Sequence, residues 1–268
     1  MSAVERNTSR VNIRRSESRH QTEIGWLHGR HSFDTGIDPN GTDTHHGMLV
    51  VNTHDTIEPG TGFDTHPHRN LEIVTWVISG SVVHQDSEGH SGLIYPDLAQ
   101  RMTAGRGIWH SERNDRAQGS ERLNLVQMWV VPDEPDVAPG YQQFNVDPAD
   151  LEGKLAVVAS GMAKHRNESA VFIRNSNAAL HVARLSEGQS IEVPDAPFVH
   201  VYIPRGHVEL EDVEELSTGD AARLTAAGER SLRAHESSEV LIWEMHASLT
   251  TEWWAACVNE WGGQNARQ

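Results

Sequence analysis

Cysteine is all but missing: Cys257 stands alone in 268 residues. No internal disulfide can form, and a reducing, cytoplasmic setting is expected. Long apolar runs are missing too. The longest, such as the one in VLIWEM, reach about five residues, against the ~20 that a transmembrane helix needs, so no membrane partner is expected. Positive charge is scarce, since 22 Lys and Arg against 38 Asp and Glu leave a formal −16. That balance argues against nucleic acid as a partner, because phosphate binding needs a basic surface. The N-terminal stretch MSAVERNTSRVNIRRSESRH is polar and has no apolar h-region, so no secretory signal is expected. Histidine is what the chain has in plenty. Seventeen of them, nearly as many as Lys and Arg together, call for a search for a metal or acid–base site.

The length fits one large β or α/β unit or two modest domains. From about 47 to 131 the chain reads as short β-type runs rich in Val, Ile, Thr and Trp, cut by Gly, Pro, Asp and Asn. In LEIVTWVISG, Ile73, Thr75 and Val77 face one way and Glu72, Val74, Trp76 and Ile78 the other. Apolar residues on both faces suit a strand sandwiched inside a closed or two-sheet structure. Strands at such short intervals without helical patterns point to a barrel or jelly roll. The Pro- and acid-rich stretch VVPDEPDVAPGYQQFNVDPADLEG reads as a linker, after which the β pattern returns. WVISGSVVHQD (76–86) is echoed by YIPRGHVELED (202–212), and YPDLAQRMTAG (95–105) by STGDAARLTAAG (217–228). An internal duplication is the simplest account. The fold expected is all-β: two jelly-roll barrels in tandem with a short C-terminal helix. That helix is read from the spacing of Trp253, Trp254, Cys257, Val258 and Trp261, which form one helical stripe that Gly262 and Gly263 end.

His66-Pro67-His68 is the strongest local signal. On a strand, residues i and i+2 project to the same face, so both imidazoles can enter one cavity. His110-Ser111-Glu112 follows as a second such pair. Three imidazoles and a carboxylate from two such strands suit a divalent first-row metal and leave positions open for water or substrate. A structural zinc site would more often use cysteine and fill all four positions. Parity leaves two carboxylates possible, because Glu72 would share the face of His66 and His68. His45 and His46, being adjacent, point to opposite faces of any strand. His84 and His90 flank a polar turn and read as solvated. Aligning Gly206 with Gly80 puts Glu192 and Pro194 in place of His66 and His68, and Arg233 near the place of His110. The second half is therefore expected to lack the metal site, with His200, His207 and His235 at the surface or satisfied in the core.

The pattern G-x5-H-x-H-x3-E followed by G-x-G-x2-H-x3-N resembles the paired motifs of the cupin superfamily. More narrowly, HPHRNLEIVTWVISGSVVHQDSEGH and QRMTAGRGIWHSE resemble the pirin family, as do IRRSESRH, GWLHGRHSFD and ERLNLVQMWVVP. The resemblance covers the chain up to about residue 246. It implies a bicupin with a metal in the N-terminal barrel only. Together with the composition and periodicity of the chain, the division expected is a flexible 1–12, an N-terminal barrel over 13–133, a linker over 134–153, a metal-free barrel over 154–246 and a helical tail over 247–268. The resemblance also implies His66, His68, His110 and Glu112 as metal ligands, with Glu72 a cavity residue. The cofactor implied is one divalent transition ion, iron first, with manganese, cobalt, nickel, copper or zinc also accommodated. The activity implied is that of a quercetin 2,3-dioxygenase, which opens the heterocyclic ring of a flavonol with O2 and releases carbon monoxide. Glu112 would be ligand and general base. Trp76, Trp109, Met102 and Gln127 are candidates for the cavity wall. Two alternatives remain open: a metal-binding regulatory protein with a protein partner and no turnover, or another cupin dioxygenase or isomerase.

Overall fold

β-Branched runs ended by turn residues fold as strands almost throughout. The computed structural model describes residues 9–34, 42–115 and 121–250. The Trp-bearing helix expected after residue 250 lies outside the described residues. β1 (Arg10–Arg14) comes first. In the N-terminal half, β2 (His20–Ile24), β3 (Leu27–His31), β4 (Leu49–Ile57), β6 (Glu72–Ser79), β9 (Leu98–Thr103), β11 (Leu123–Val130) and β12 (Gly140–Asn145) form one sheet. Its order is β12-β9-β6-β11-β4-β3-β2. Facing it is a sheet of β5 (Gly62–His68), β7 (Val82–Asp86), β8 (Ser91–Ile94) and β10 (Ile108–Asn114), in the order β5-β10-β7-β8.

The second half repeats this plan. β13 (Ala156–Ser160), β14 (Val171–Phe172), β15 (Ala178–Leu185), β17 (Phe198–Arg205), β20 (Ala221–Thr225) and β22 (Ser238–Met245) join β1 in the order β1-β20-β17-β22-β15-β13-β14. β16 (Ser190–Val193), β18 (His207–Leu210), β19 (Glu215–Ser217) and β21 (Arg230–Ala234) form the smaller sheet, β16-β21-β18-β19. The run β9-β6-β11-β4-β3 thus recurs as β20-β17-β22-β15-β13, and β5-β10-β7-β8 as β16-β21-β18-β19. The hairpin glycines recur as well. Gly80 and Gly206 have φ of 78° and 101°, and a Cβ on Gly206 would come within 2.2 Å of Ser238 Oγ. Only glycine fits there without strain.

Two stretches differ from the sequence reading. Residues 10–12, expected to be flexible, pair through β1 with β20 of the far half, where Val11 and Ile13 pack on the second barrel's core. The apolar alternation of a five-residue stretch was too short to stand out. The stretch 134–153, read as a linker, contains β12, which pairs with β9, and a helix α1 (Pro148–Leu151) capped by Asp147.

Apolar residues on both faces of β6 have a plain cause. Val77 packs inside the first barrel with Ile57, Val82, Ile94 and Leu125. Val74 and Trp76 face the other half and pack in one cluster with Tyr202, Leu241 and Trp243. Trp76 Nε1 donates to Glu239 Oε1 at 2.8 Å, and Arg205 donates to Glu239 Oε2 at 2.7 Å. Trp76 is therefore an inter-barrel residue and not part of the metal cavity wall. Trp76→Ala is expected to destabilise the fold by about 3–5 kcal/mol, read from urea unfolding; a loss under about 1 kcal/mol would contradict this packing.

Buried imidazoles set the pH response. Burial pushes His31, His46 and His54 down from 6.5 to about 4, and His200 well below 6.5. The unfolded chain takes up protons below 6.5 that these folded imidazoles refuse, so stability falls as the pH drops from 6.5 toward 4. Asp55 and Glu72 act oppositely, burial raising both to about 7 from 3.8 and 4.5. Four imidazoles outweigh two carboxyls. The urea midpoint of chelator-treated protein should be lower at pH 4.5 than at pH 6.5, values set inside that window; an equal or higher midpoint would refute the sign.

Candidate metal centre

β5 and β10 run antiparallel with His66 opposite His110. Pro67, which has no N–H to give, sits on an edge strand of its sheet, where that is tolerated. On β10 the alternation is clean: Ile108, His110, Glu112 and Asn114 are buried, while Trp109 and Arg113 are exposed. A bulge between His110 and Glu112 shifts the register at the point where both aim inward. The three rings of His66, His68 and His110 lie 4.4–4.9 Å apart, centroid to centroid, and one ligand atom from each lies within 4.8 Å of the others.

The protonation pattern favours metal capture. His66 Nδ1 lies 2.7 Å from the carbonyl of Asp64. A carbonyl can only accept, so the proton sits on Nδ1 and Nε2 keeps its lone pair. His68 Nε2 and His110 Nε2 are buried without a hydrogen-bond partner. Burial and then the neighbouring imidazoles push His68 well below 6.5 and His110 to about 2. Both rings are neutral near pH 7, as metal ligands must be. Buried ring nitrogens with no donor or acceptor to satisfy them fit a cation of the divalent transition series.

Glu112 belongs to a neighbouring group that shares His110 with the three-histidine cluster. Its carboxylate groups with His110 and His84 within 4.8 Å, and Glu112 and His84 are direct register partners. His84, read from sequence as a solvated turn residue, is fully buried. It lies on β7 and stacks on Tyr141 at 4.8 Å, with Nε2 3.3 Å from Asp86 Oδ2. The polar residues after it mark the hairpin end, and the strand before that end carries His84 inward. His90 does remain partly exposed, 3.0 Å from the same Asp86 oxygen.

Gln127, expected in the wall, donates from Nε2 to Glu112 Oε2 at 2.7 Å. Trp129 Nε1 donates to Gln127 Oε1 at 2.9 Å, and its ring meets that of His68 edge-on at 4.8 Å. Register puts Thr53, Thr75 and Gln100 on the same face of the sheet as Gln127. Thr75 Oγ1 and Gln100 Oε1 are buried with no partner. Asp55 is buried nearby, its carboxyl raised to about 7 by burial and, in smaller part, by the charge of Glu112. Asp55, Trp129 and Tyr141 carried no motif that sequence reasoning could have used.

Other expected positions fall elsewhere. Trp109 is 54% exposed, and Met102 packs in the cluster between the halves. Glu72 does not share a face with His66 and His68, because the chain turns at Asn70, φ 55°, and Glu72 starts a strand of the opposite sheet. It accepts from Thr103 Oγ1 at 3.0 Å and from the Arg174 amide at 3.2 Å, facing the second half. In that half, Val193 opposes Arg230 as His66 opposes His110, and Leu210 and Leu232 stand where His84 and Glu112 do. Those equivalents are offset from the expected Glu192, Pro194 and Arg233, since spacing alone does not fix register.

Comparison with known proteins identifies the family. Residues 12–130 match the family described as Pirin, and residues 157–245 the Quercetinase C-terminal cupin domain. A Mycobacterium tuberculosis relative, named only provisionally as a quercetin 2,3-dioxygenase, is 50% identical over 242 residues, covering 90% of this chain and 98% of that protein. The quercetin 2,3-dioxygenase of Escherichia coli K12 is 32% identical over 238 residues, covering 88% of this chain and 98% of the other. Among solved structures, YhhW from Escherichia coli aligns with a TM-score of 0.79 at 30% identity, over 90% of this chain and 100% of that one. The same bacterial pirin in complex with nickel(II) aligns at 0.78 and 30%, with the same coverage. By sequence over most of its length and by its tandem barrels, this chain belongs to the pirin family.

Proposed function

We propose that the chain is a metal-dependent dioxygenase of the quercetin 2,3-dioxygenase type, with His66, His68, His110 and Glu112 as ligands of one divalent transition ion. The observation that carries this reading is the pair of buried, partnerless nitrogens on His68 and His110 beside the primed Nε2 of His66. A bound divalent ion supplies Lewis acidity that lowers the pKa of a flavonol hydroxyl and leaves the heterocyclic ring electron-rich toward O2. The chain's own residues do the rest. Glu112 accepts the hydroxyl proton at Oε1, while Gln127 fixes Oε2 and so sets the direction of the other oxygen. Trp129 pins Gln127 and shields the flank of His68. Thr75 and Gln100, with unpartnered polar atoms on the inward face, are placed to hold the polar substituents of a flavonol. Dioxygen inserts across the ring, which opens with release of carbon monoxide.

His66→Ala and His110→Ala are each expected to lose the ion of the first barrel, read by plasma mass spectrometry as one metal fewer per chain than the unaltered protein, whereas His207→Ala leaves that count unchanged. Glu112→Gln should weaken metal binding more than Glu72→Gln; equal losses would remove Glu112 from the ligand set. An oxygen electrode with a flavonol should record O2 uptake that parallels flavonol bleaching and stops on chelation. Metal retention without uptake under every divalent ion tried would overturn the enzymatic reading in favour of a regulatory metal-binding protein.

A further inference from the structure

The second barrel, metal-free at the position equivalent to the first site, carries a different cluster. Glu244 pairs with Val199 and His181 with Ile242. Val199 and Ile242 belong to the core of the second barrel, so Glu244 and His181 lie on the inward face of its larger sheet. His165 reaches them from the short 3-10 turn Ala163–His165 that follows β13. All three are buried, and one ligand atom from each lies within 4.8 Å of the others. We propose that His165, His181 and Glu244 form a second site for a divalent transition ion, separate from the ligand set of the first barrel.

The supporting hydrogen bonds are those a metal site needs. Ser160 Oγ accepts from the Met162 amide at 3.0 Å, lies 3.5 Å from the carbonyl of Ala178 and sits 3.1 Å from His165 Nδ1. With the hydroxyl proton directed to that carbonyl, Nδ1–H donates to Oγ, and Nε2 of His165 is left with a lone pair. Burial, followed by the charges of His181 and Lys164, lowers the pKa of His165, keeping the ring neutral. Glu244 stays ionised. Burial opposes its charge, but hydrogen bonds from His181, Lys164 and His246 hold it well below the usual carboxylate range. Lys164 and His246 both engage Oε1, and His181 Nε2 lies 3.0 Å from Oε2. An ion that replaces this last contact would take Oε2, His181 and His165 without displacing Lys164. Two imidazoles and one carboxylate with an open position are a donor set that zinc, nickel, cobalt and iron all accept. The ion would tie the turn after β13 to β15 and β22.

The test uses full-length, untagged protein, stripped with chelator and equilibrated with zinc chloride. His66→Ala/His110→Ala protein, in which the first site is destroyed, should retain one zinc per chain, measured by plasma mass spectrometry after dialysis. It should also melt at a higher temperature with zinc than without. Adding His181→Ala should abolish both effects, and Glu244→Gln serves the same purpose if that triple variant does not fold. No zinc in the double variant, or zinc and a melting shift that persist after His181→Ala or Glu244→Gln, would overturn the site.

Discussion

Two imidazole nitrogens, His68 Nε2 and His110 Nε2, are buried with no hydrogen-bond partner. A buried polar atom left in that state costs about 1–3 kcal/mol, and folded proteins tolerate it where function requires it. Much of the first barrel serves that arrangement. β5 presents two histidines from a sheet edge, β10 turns His110 and Glu112 inward by plain alternation, and Gln127 and Trp129 hold the carboxylate from the opposite sheet. Burial that is unfavourable for a free imidazole becomes an advantage for a ligand, because a neutral ring competes with no proton for the metal.

The two halves repeat one topology and have filled it differently. In the first barrel the smaller sheet points imidazoles and a carboxylate at a polar inner face of Thr75, Gln100 and Gln127. In the second, Leu210 and Leu232 occupy the corresponding positions and pack in an aliphatic interior. Each large sheet gains an extra strand at the same edge, β12 beside β9 and β1 beside β20. Because β1 belongs to the start of the chain, it ties the first residues to the second half. With the shared cluster around Trp76 and Trp243, this makes the barrels one packed unit.

Most of the architecture was legible in sequence, and so was the clustering of His66, His68 and His110. The i, i+2 spacing in HPH and HSE placed four side chains inward, because strand alternation is local and holds within one strand. It failed across Asn70, where a left-handed residue ends β5 and sends Glu72 into the other sheet. His84 was misjudged for a related reason: its polar neighbours describe the turn that follows, while its burial depends on pairing with Glu112. Trp76 and Met102 were apolar as a cavity wall would be, but which side of a two-faced strand meets the cavity depends on the partner barrel. Trp109 faces outward by the same alternation that buries His110. The Glu244 cluster escaped notice because its members lie on three elements far apart in the chain.

The most direct test of the central claim is an anomalous difference map from crystals of the metal-loaded protein, collected at the absorption edge of the ion. The account requires a peak within coordination distance of His66, His68 and His110, about 2.0–2.1 Å from their ring nitrogens. A well-ordered, metal-loaded crystal with no peak among those three rings would contradict it.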